Sequence, residues 1–424
     1  MRKNKLFWAL LLQAIVFQAI SQNSINQIVL GNGGIYGNSS DHVMITGIAP
    51  SDYSSTYLGE VVRESIQDLI VVEDIAYVAA EDSLVKFDLL TGQKLAAIYQ
   101  GNLSRLYFHD QILYVSLRSD LSGPPADGIY LKSFDENLAF LQQADGISTD
   151  GAGICVVEDT IYVAVPGDWQ ATEGHLAIVS LDFSNVRELN LGTDAVGIND
   201  LIADENQIYT VNKSPYLATT GSITTYNTIS TNFATHVFNH VVGKVVKKAG
   251  ELLYLGIDYG IGSYNLSTGL VIESQIIPDP GSSSYINIAS AVFDEINQQF
   301  YVAITDYFSF GEGSVYDIEG NMIGNFDASV SAEAMAIHYN LGSATYELSD
   351  NVSYLYPNPC ANQLYIRSIP GNLKTQLLNS TGQVLQEYDG NFVKSLNLET
   401  YPSGIYFVRI EKLNEVILEK LIKL

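Results

Sequence analysis

Residues 153–165, GICVVEDTIYVAV, read as two apolar strands joined by the tight acidic turn Glu158-Asp159-Thr160, with an aromatic, Tyr162, just past the turn. The phrase returns as DLIVVEDIAYVAA at 68–80, RLYFHDQILYVSL at 105–117, DLIADENQIYTVN at 200–212, VVKKAGELLYLGI at 245–257 and AVFDEINQQFYVAI at 291–304. Its aromatic falls at Tyr77, Tyr114, Tyr162, Tyr209, Tyr254 and Tyr301, so successive gaps are 37, 48, 47, 45 and 47 residues by subtraction. After each pair come a variable loop and a second pair, as in SLVKFDL and QKLAAIY within 83–99. A four-stranded propeller blade takes roughly 40–50 residues, and this period predicts an all-β propeller.

The ends of the repeat region supply one further blade. AEAMAIHY at 332–339 reads as an innermost strand with nothing after it, while IYG at 35–37, HVMITGIAP at 42–50 and YLGEVV at 57–62 read as second, third and fourth strands with no first. Tyr36 fits the aromatic position, 41 residues before Tyr77. Sharing one blade between both ends closes the ring, and the expectation is about seven blades over 22–343.

Composition narrows the partners. The 424 residues carry a net charge of −26, which argues against nucleic acid, whose phosphates need a basic surface. The acid belongs to the repeat region, where 11 basic residues face about 40 acidic ones. Such an excess reads as a solubilising surface, with calcium or cationic ligands as the alternative. Cys155 and Cys360 fall in separate regions, so no disulfide is expected.

Two groups of candidate site residues follow from the blade pattern. The loops between second and third strands are long and carry Asp168, Trp169, Tyr216, Asp306, Tyr307, Phe308 and Phe310. Aromatics on loops over a rigid scaffold suit a face that binds a glycan, a peptide or a protein; they could equally tuck onto their own blades. The second group lies nine residues before the repeat tyrosine, where inner strands start at the channel mouth: Asp68, Arg105 and Asp200, with Lys244 beside the equivalent Val245. Mixed charges there can hold a ligand or a cation, or pair and plug the channel.

No catalytic constellation stands out. Asp145-Gly146 and Asp150-Gly151 offer oxygen donors for calcium, without an EF-hand loop. The six histidines are scattered, with no HExxH or CxxC pattern for zinc. A metal-dependent propeller hydrolase or lactonase would assemble its acids from separate blades, and remains the alternative to a binding module.

The two ends read as addresses. Arg2, Lys3 and Lys5 precede the apolar LFWALLLQAIVFQAI and the small-residue step Ala19-Ile20-Ser21, the pattern of a signal peptide over 1–21 handled by the Sec machinery, with a membrane anchor as the alternative. From 344 to 424 the period stops, and strands broken by Pro357-Asn358-Pro359, Thr381-Gly382 and Ser403-Gly404 predict a small β-sandwich.

Phrases such as LVKFDLLTGQKLAAI at 84–98 and IGSYNLSTGLVIE at 261–273 resemble the secreted YVTN-type and quinoprotein-like propellers. The mature chain keeps one tryptophan, Trp169, so the blade-locking tryptophans of quinoprotein dehydrogenases are missing and a quinone is not expected. The carboxyl-terminal region resembles the type A sorting domain of the type IX secretion system of Bacteroidota. Tyr356-Pro357-Asn358-Pro359, Gly382-Gln383-Val384, Leu398 with Gly404 to Val408 including Tyr406, and Lys420 to Lys423 match its motifs in order. The resemblance implies export across both membranes by the Sec and type IX machinery to the outer surface or medium. It also implies removal of the domain and attachment to surface lipopolysaccharide in many relatives. An unrelated sandwich is the alternative reading.

Overall fold

The computed structural model describes residues 24–35, 37–120, 122–167, 171–215, 217–309, 311–340, 355–356, 358, 360–366, 372–379, 382–389, 395–412 and 416–424. The chain divides into two compact units, Met1–Ser343 and Ala344–Leu424.

In the first unit the described strands form seven four-stranded antiparallel sheets. Numbered from the sheet holding the N-terminal strand, their inner strands are Ala334–Asn340, Asp68–Val72, Leu103–His109, Ile154–Val157, Ile198–Asp204, Val242–Ala249 and Asn287–Asp294. Each inner strand packs on that of the next blade, and blade 7 on blade 1, so the propeller is a closed ring.

The repeated phrase owes its form to its turn and its tyrosine. Glu73, Glu158 and Glu205 adopt φ of 51°, 50° and 50°, and Gly250 takes the same place in blade 6 at 57°. Left-handed residues at a two-residue turn match the twist of the paired strands. The tyrosine then fills the seam to the next blade. Tyr77 stacks on Phe108 at 5.5 Å, Tyr162 meets Tyr226 at 6.0 Å, and Tyr254 lies 4.7 Å from Phe293 and 5.1 Å from Phe300. Aromatic pairs of this kind contribute about 0.5–1.5 kcal/mol beyond buried area, a seam that does not need tryptophan.

Blade 1 is assembled from both ends. Its inner strand Ala334–Asn340 pairs with Ser24–Asn32, which is followed by Val43–Ile48 and Ser55–Val61. The second strand is therefore Ser24–Asn32, not the IYG expected at 35–37, and Tyr36 lies outside the described residues. The reason is burial: Ile28, Val29 and Leu30 are wholly enclosed, whereas Gly33 and Gly34 leave the sheet to bond the carbonyls of Ser331 and Glu64.

A buried histidine ties this closure. His338 is inaccessible to solvent; its Nε2 lies 2.9 Å from Asp74 Oδ1 in the acidic turn of blade 2, and its Nδ1 is 3.2 Å from Gln27 Nε2 on the N-terminal strand. One imidazole thus joins the last strand, the first strand and the neighbouring blade.

In the second unit, Leu355–Tyr356, Gln363–Ile366 and Ser395–Asn397 form one sheet, and Val384–Asp389, Asn372–Asn379, Gly404–Lys412 and Val416–Lys423 another. Leu364 and Leu396 of the first share a buried cluster with Leu377, Val408, Ile410 and Leu421 of the second, the core of a sandwich.

His338→Ala is expected to destabilise the propeller by about 1–3 kcal/mol, because it removes a wholly buried ring with its two hydrogen bonds and leaves a gap in the closing seam. Urea unfolding reads this as a lower midpoint; an unchanged midpoint would show that closure does not depend on the histidine.

Candidate functional site at the channel mouth

The inner strands converge on a channel, and blades 2 to 6 of the seven bring the position nine residues before the repeat tyrosine, or its neighbour, to it. Asp68, Arg105, Gly153, Asp200 and Lys244 all line one cavity of about 850 Å³, together with Lys213, Glu333 and Tyr307. A smaller cavity of about 270 Å³ adjoins it and shares Arg105, Lys213, Lys244 and Glu333. Arg118 and Asp150 also line the smaller space. Gly153 keeps blades 4 and 5 close at this level: a Cβ there would lie 2.7 Å from the Asp200 Cα.

The charges are unevenly partnered. Asp68 is committed: its Oδ1 lies 3.7 Å from Arg105 Nη1 and its Oδ2 accepts the Leu106 amide at 2.8 Å. Asp150 accepts from the amide and hydroxyl of Ser119, both at 2.8 Å. Among the described residues no carboxylate lies within ion-pair distance of Lys213, Lys244 or Arg118, and Lys244 Nζ reaches only the Ala289 carbonyl, at 3.5 Å.

Enclosure shapes the protonation of these groups. Burial pushes the Asp200 carboxyl up to about 6, with Asp68 adding to the shift against the pull of Arg105, the Leu201 amide and Lys244. Lys244 points into the channel lumen, yet the blades that surround it draw its ammonium down to about 8, helped by Arg105 and Lys213 and opposed by Glu333 and Asp68. Burial and Arg105 also lower Lys213, and burial raises Glu333 and Tyr307.

The long-loop residues fare differently. Tyr307, at φ 66°, lines the larger cavity, and Phe308 is 60% exposed. Asp306 shapes its own loop by accepting the Phe308 and Ser309 amides at 2.9 and 2.8 Å. Asp168, Trp169, Tyr216 and Phe310 lie outside the described residues. The same wall carries Leu217, 82% exposed, and Tyr259, 55% exposed, which the repeat pattern did not single out. Glu333 was within reach of that pattern, since it stands at the start of the closing inner strand. Lys213 and Arg118 were not, because they follow the second strands, where no repeat signal runs. Among the described residues no three His, Cys, Asp or Glu come together to hold a metal ion.

The second unit carries a site of its own. Asn358 donates from Nδ2 to the Lys420 carbonyl at 2.7 Å and accepts the Ile422 amide on Oδ1 at 3.0 Å, while Cys360 and Lys423 form a parallel bridge. The proline-flanked asparagine so clasps the terminal strand through its side chain. Gly382 turns at φ 83°, Tyr406 donates to the Pro402 carbonyl at 2.8 Å, and Lys423 Nζ bonds the Leu424 carbonyl at 2.9 Å. Gly404 opens its strand and Lys420 is exposed; Tyr356 is in a strand, and Pro357 and Pro359 lie outside the described residues.

Residues 354–424 match the family model of the secretion system C-terminal sorting domain. The second unit is a type IX sorting domain. The chain is therefore type IX secretion cargo, exported to the cell surface or the medium. The sorting domain says nothing of what the propeller does once outside. Among solved structures, a quinoprotein alcohol dehydrogenase-like protein of Bacteroides thetaiotaomicron is similar at 13% identity and a TM-score of 0.52, over 72% of this chain and 76% of its own. A protein assigned as a 6-phosphogluconolactonase of Bacteroides uniformis is similar at 12% identity and 0.51, over 74% of this chain and 99% of its own. Both likenesses establish the fold alone. No curated protein matches the sequence.

Two measurements follow. Asp200 holds its proton more tightly folded than unfolded, so its ionisation removes stability as pH rises from about 4 to about 6. Asp200→Asn should raise stability at pH 7 by about 3 kcal/mol and leave it unchanged below pH 4, read from melting curves across pH; a gain that ignores pH would contradict this. Asn358→Ala should loosen the terminal strand of the sorting domain and retain the protein in the periplasm, read by cell fractionation; undiminished export would show the clasp to be dispensable.

Proposed function

We propose that the exported propeller is a binding module whose ligand, a glycan or a peptide, seats in the channel mouth beside blades 5 to 7. The supporting observation is the cavity of about 850 Å³, which joins lumen-facing charged groups to an apolar and aromatic wall of Leu217, Tyr259 and Tyr307. Ligand pockets have this size and this mixture of broad apolar contact with few convergent polar groups. A metal-dependent hydrolase needs three ligands converging on one point, and among the described residues no three His, Cys, Asp or Glu side chains gather to supply them.

After export, the sorting domain is removed and the propeller is held at the surface by lipopolysaccharide. This part of the proposal follows from the sorting domain and is tested by whether the surface form lacks residues 354–424 and carries the added mass.

For the binding site, the mature chain should retain members of a glycan and peptide array, and Leu217→Ser with Tyr259→Ala should weaken that retention at least tenfold. Retention unaffected by both changes but lost with Phe308→Ala would move the site to the loop rim.

A further inference from the structure

The repeat region has 11 basic residues against about 40 acidic ones, yet four of the basic residues, Arg105, Arg118, Lys213 and Lys244, line the one small cavity of about 270 Å³. Among the described residues two carboxylates line it with them, Asp150 and Glu333, and Asp150 accepts from Ser119. Across the two adjoining cavities these four positive groups meet Asp68, Asp150, Asp200 and Glu333, but Asp68 pairs with Arg105 and Asp150 with Ser119, so that among the described residues Arg118, Lys213 and Lys244 have no carboxylate within ion-pair distance. Arg118, Lys213 and Lys244 are open to the lumen and Arg105 is half-buried, yet the surrounding blades and then Arg105 draw both lysines down, and like charges gathered this way cost stability unless an anion joins them. Chance does not favour this placement, since the outer surface offers ample carboxylates with which these side chains could pair. Lys132, Lys247 and Lys248 do so, with Asp127, Glu295 and Asp204.

The adjoining larger cavity supplies the other half of a ligand site. Its wall of Leu217, Tyr259, Tyr307 and Ile288 gives apolar and aromatic contact, and it opens onto the same Arg105, Lys213, Lys244 and Glu333.

We propose that the channel mouth takes a small organic carboxylate, its anionic head among Lys213, Lys244 and Arg118 and its body against Tyr259 and Leu217. This rests on the binding reading above and specifies the chemistry of its ligand. Lysine and arginine in a confined space bind carboxylates by charge-assisted hydrogen bonds that water cannot match at that site. The acidic exterior at the same time repels anionic polymers that touch the surface broadly, so the site suits an anion small enough to enter or the end of a chain. An acidic sugar and a peptide carboxyl terminus share this chemistry.

The test uses the mature full-length chain, its thermal unfolding followed at pH 7 and constant ionic strength with succinate or with neutral succinamide. Succinate should raise the melting temperature by several degrees and succinamide should not, because only a ligand of the folded state shifts the midpoint. In Lys213→Gln/Lys244→Gln the affinity for succinate should fall at least tenfold; since both side chains face the lumen, the variant is expected to fold, which its own melting curve verifies. Equal effects of succinate and succinamide, or an undiminished effect in the variant, would overturn the proposal.

Source is then read by pairing digalacturonate with its dimethyl ester, and a tripeptide with its carboxyl-terminal amide. Preference for the acid in either pair supports the proposal and names the source. Equal binding of acid and neutral form, weakened by Tyr259→Ala, would overturn the carboxylate and leave the binding reading standing.

Discussion

Everything in the propeller depends on the pairing of its first and last strands. Without the ladder between Ser24–Asn32 and Ala334–Asn340, blade 1 would lack its inner strand and the seven sheets would form an open arc with two exposed edges. Closure brings Glu333, at the end of the repeat region, into the same cavity as Asp68 and Arg105 near its beginning. The charged centre is therefore completed by ring closure, which His338 fastens through its bond to the blade 2 turn.

That dependence explains which parts of the site were legible. The inner-strand positions Asp68, Arg105, Asp200 and Lys244 could be found because a tight hairpin fixes the spacing between channel and repeat tyrosine, and one register runs through most blades. Lys213, Arg118, Tyr259 and Leu217 sit past the second strand, where loop length varies from blade to blade and spacing carries no information. Tyr36 misled for a related reason. An aromatic at the right interval imitated the repeat, whereas the uninterrupted apolar run Ile28 to Leu30 had the stronger claim to a buried strand.

The sorting domain was legible in more detail because its motifs are local. Gly382 in its turn and Tyr406 on the Pro402 carbonyl act through chain neighbours, whereas Asn358 is read from its local motif although its partners Lys420 and Ile422 lie 62 and 64 residues on. A propeller lumen is different in kind. Its chemistry is assembled across gaps of tens to hundreds of residues, and the fold-level likeness to other propellers transfers shape without ligand.

The surface and the lumen also divide the electrostatics between them. Acidic residues dominate the repeat region, while Arg105, Arg118, Lys213 and Lys244 gather around the lumen. The most direct measurement is a crystal structure of the mature protein grown with digalacturonate. The account predicts a carboxylate oxygen within about 3.2 Å of the Lys213 or Lys244 ammonium, with a sugar ring beside Tyr259. A channel left without the ligand at saturating concentration, or a ligand bound on the outer rim, would contradict it.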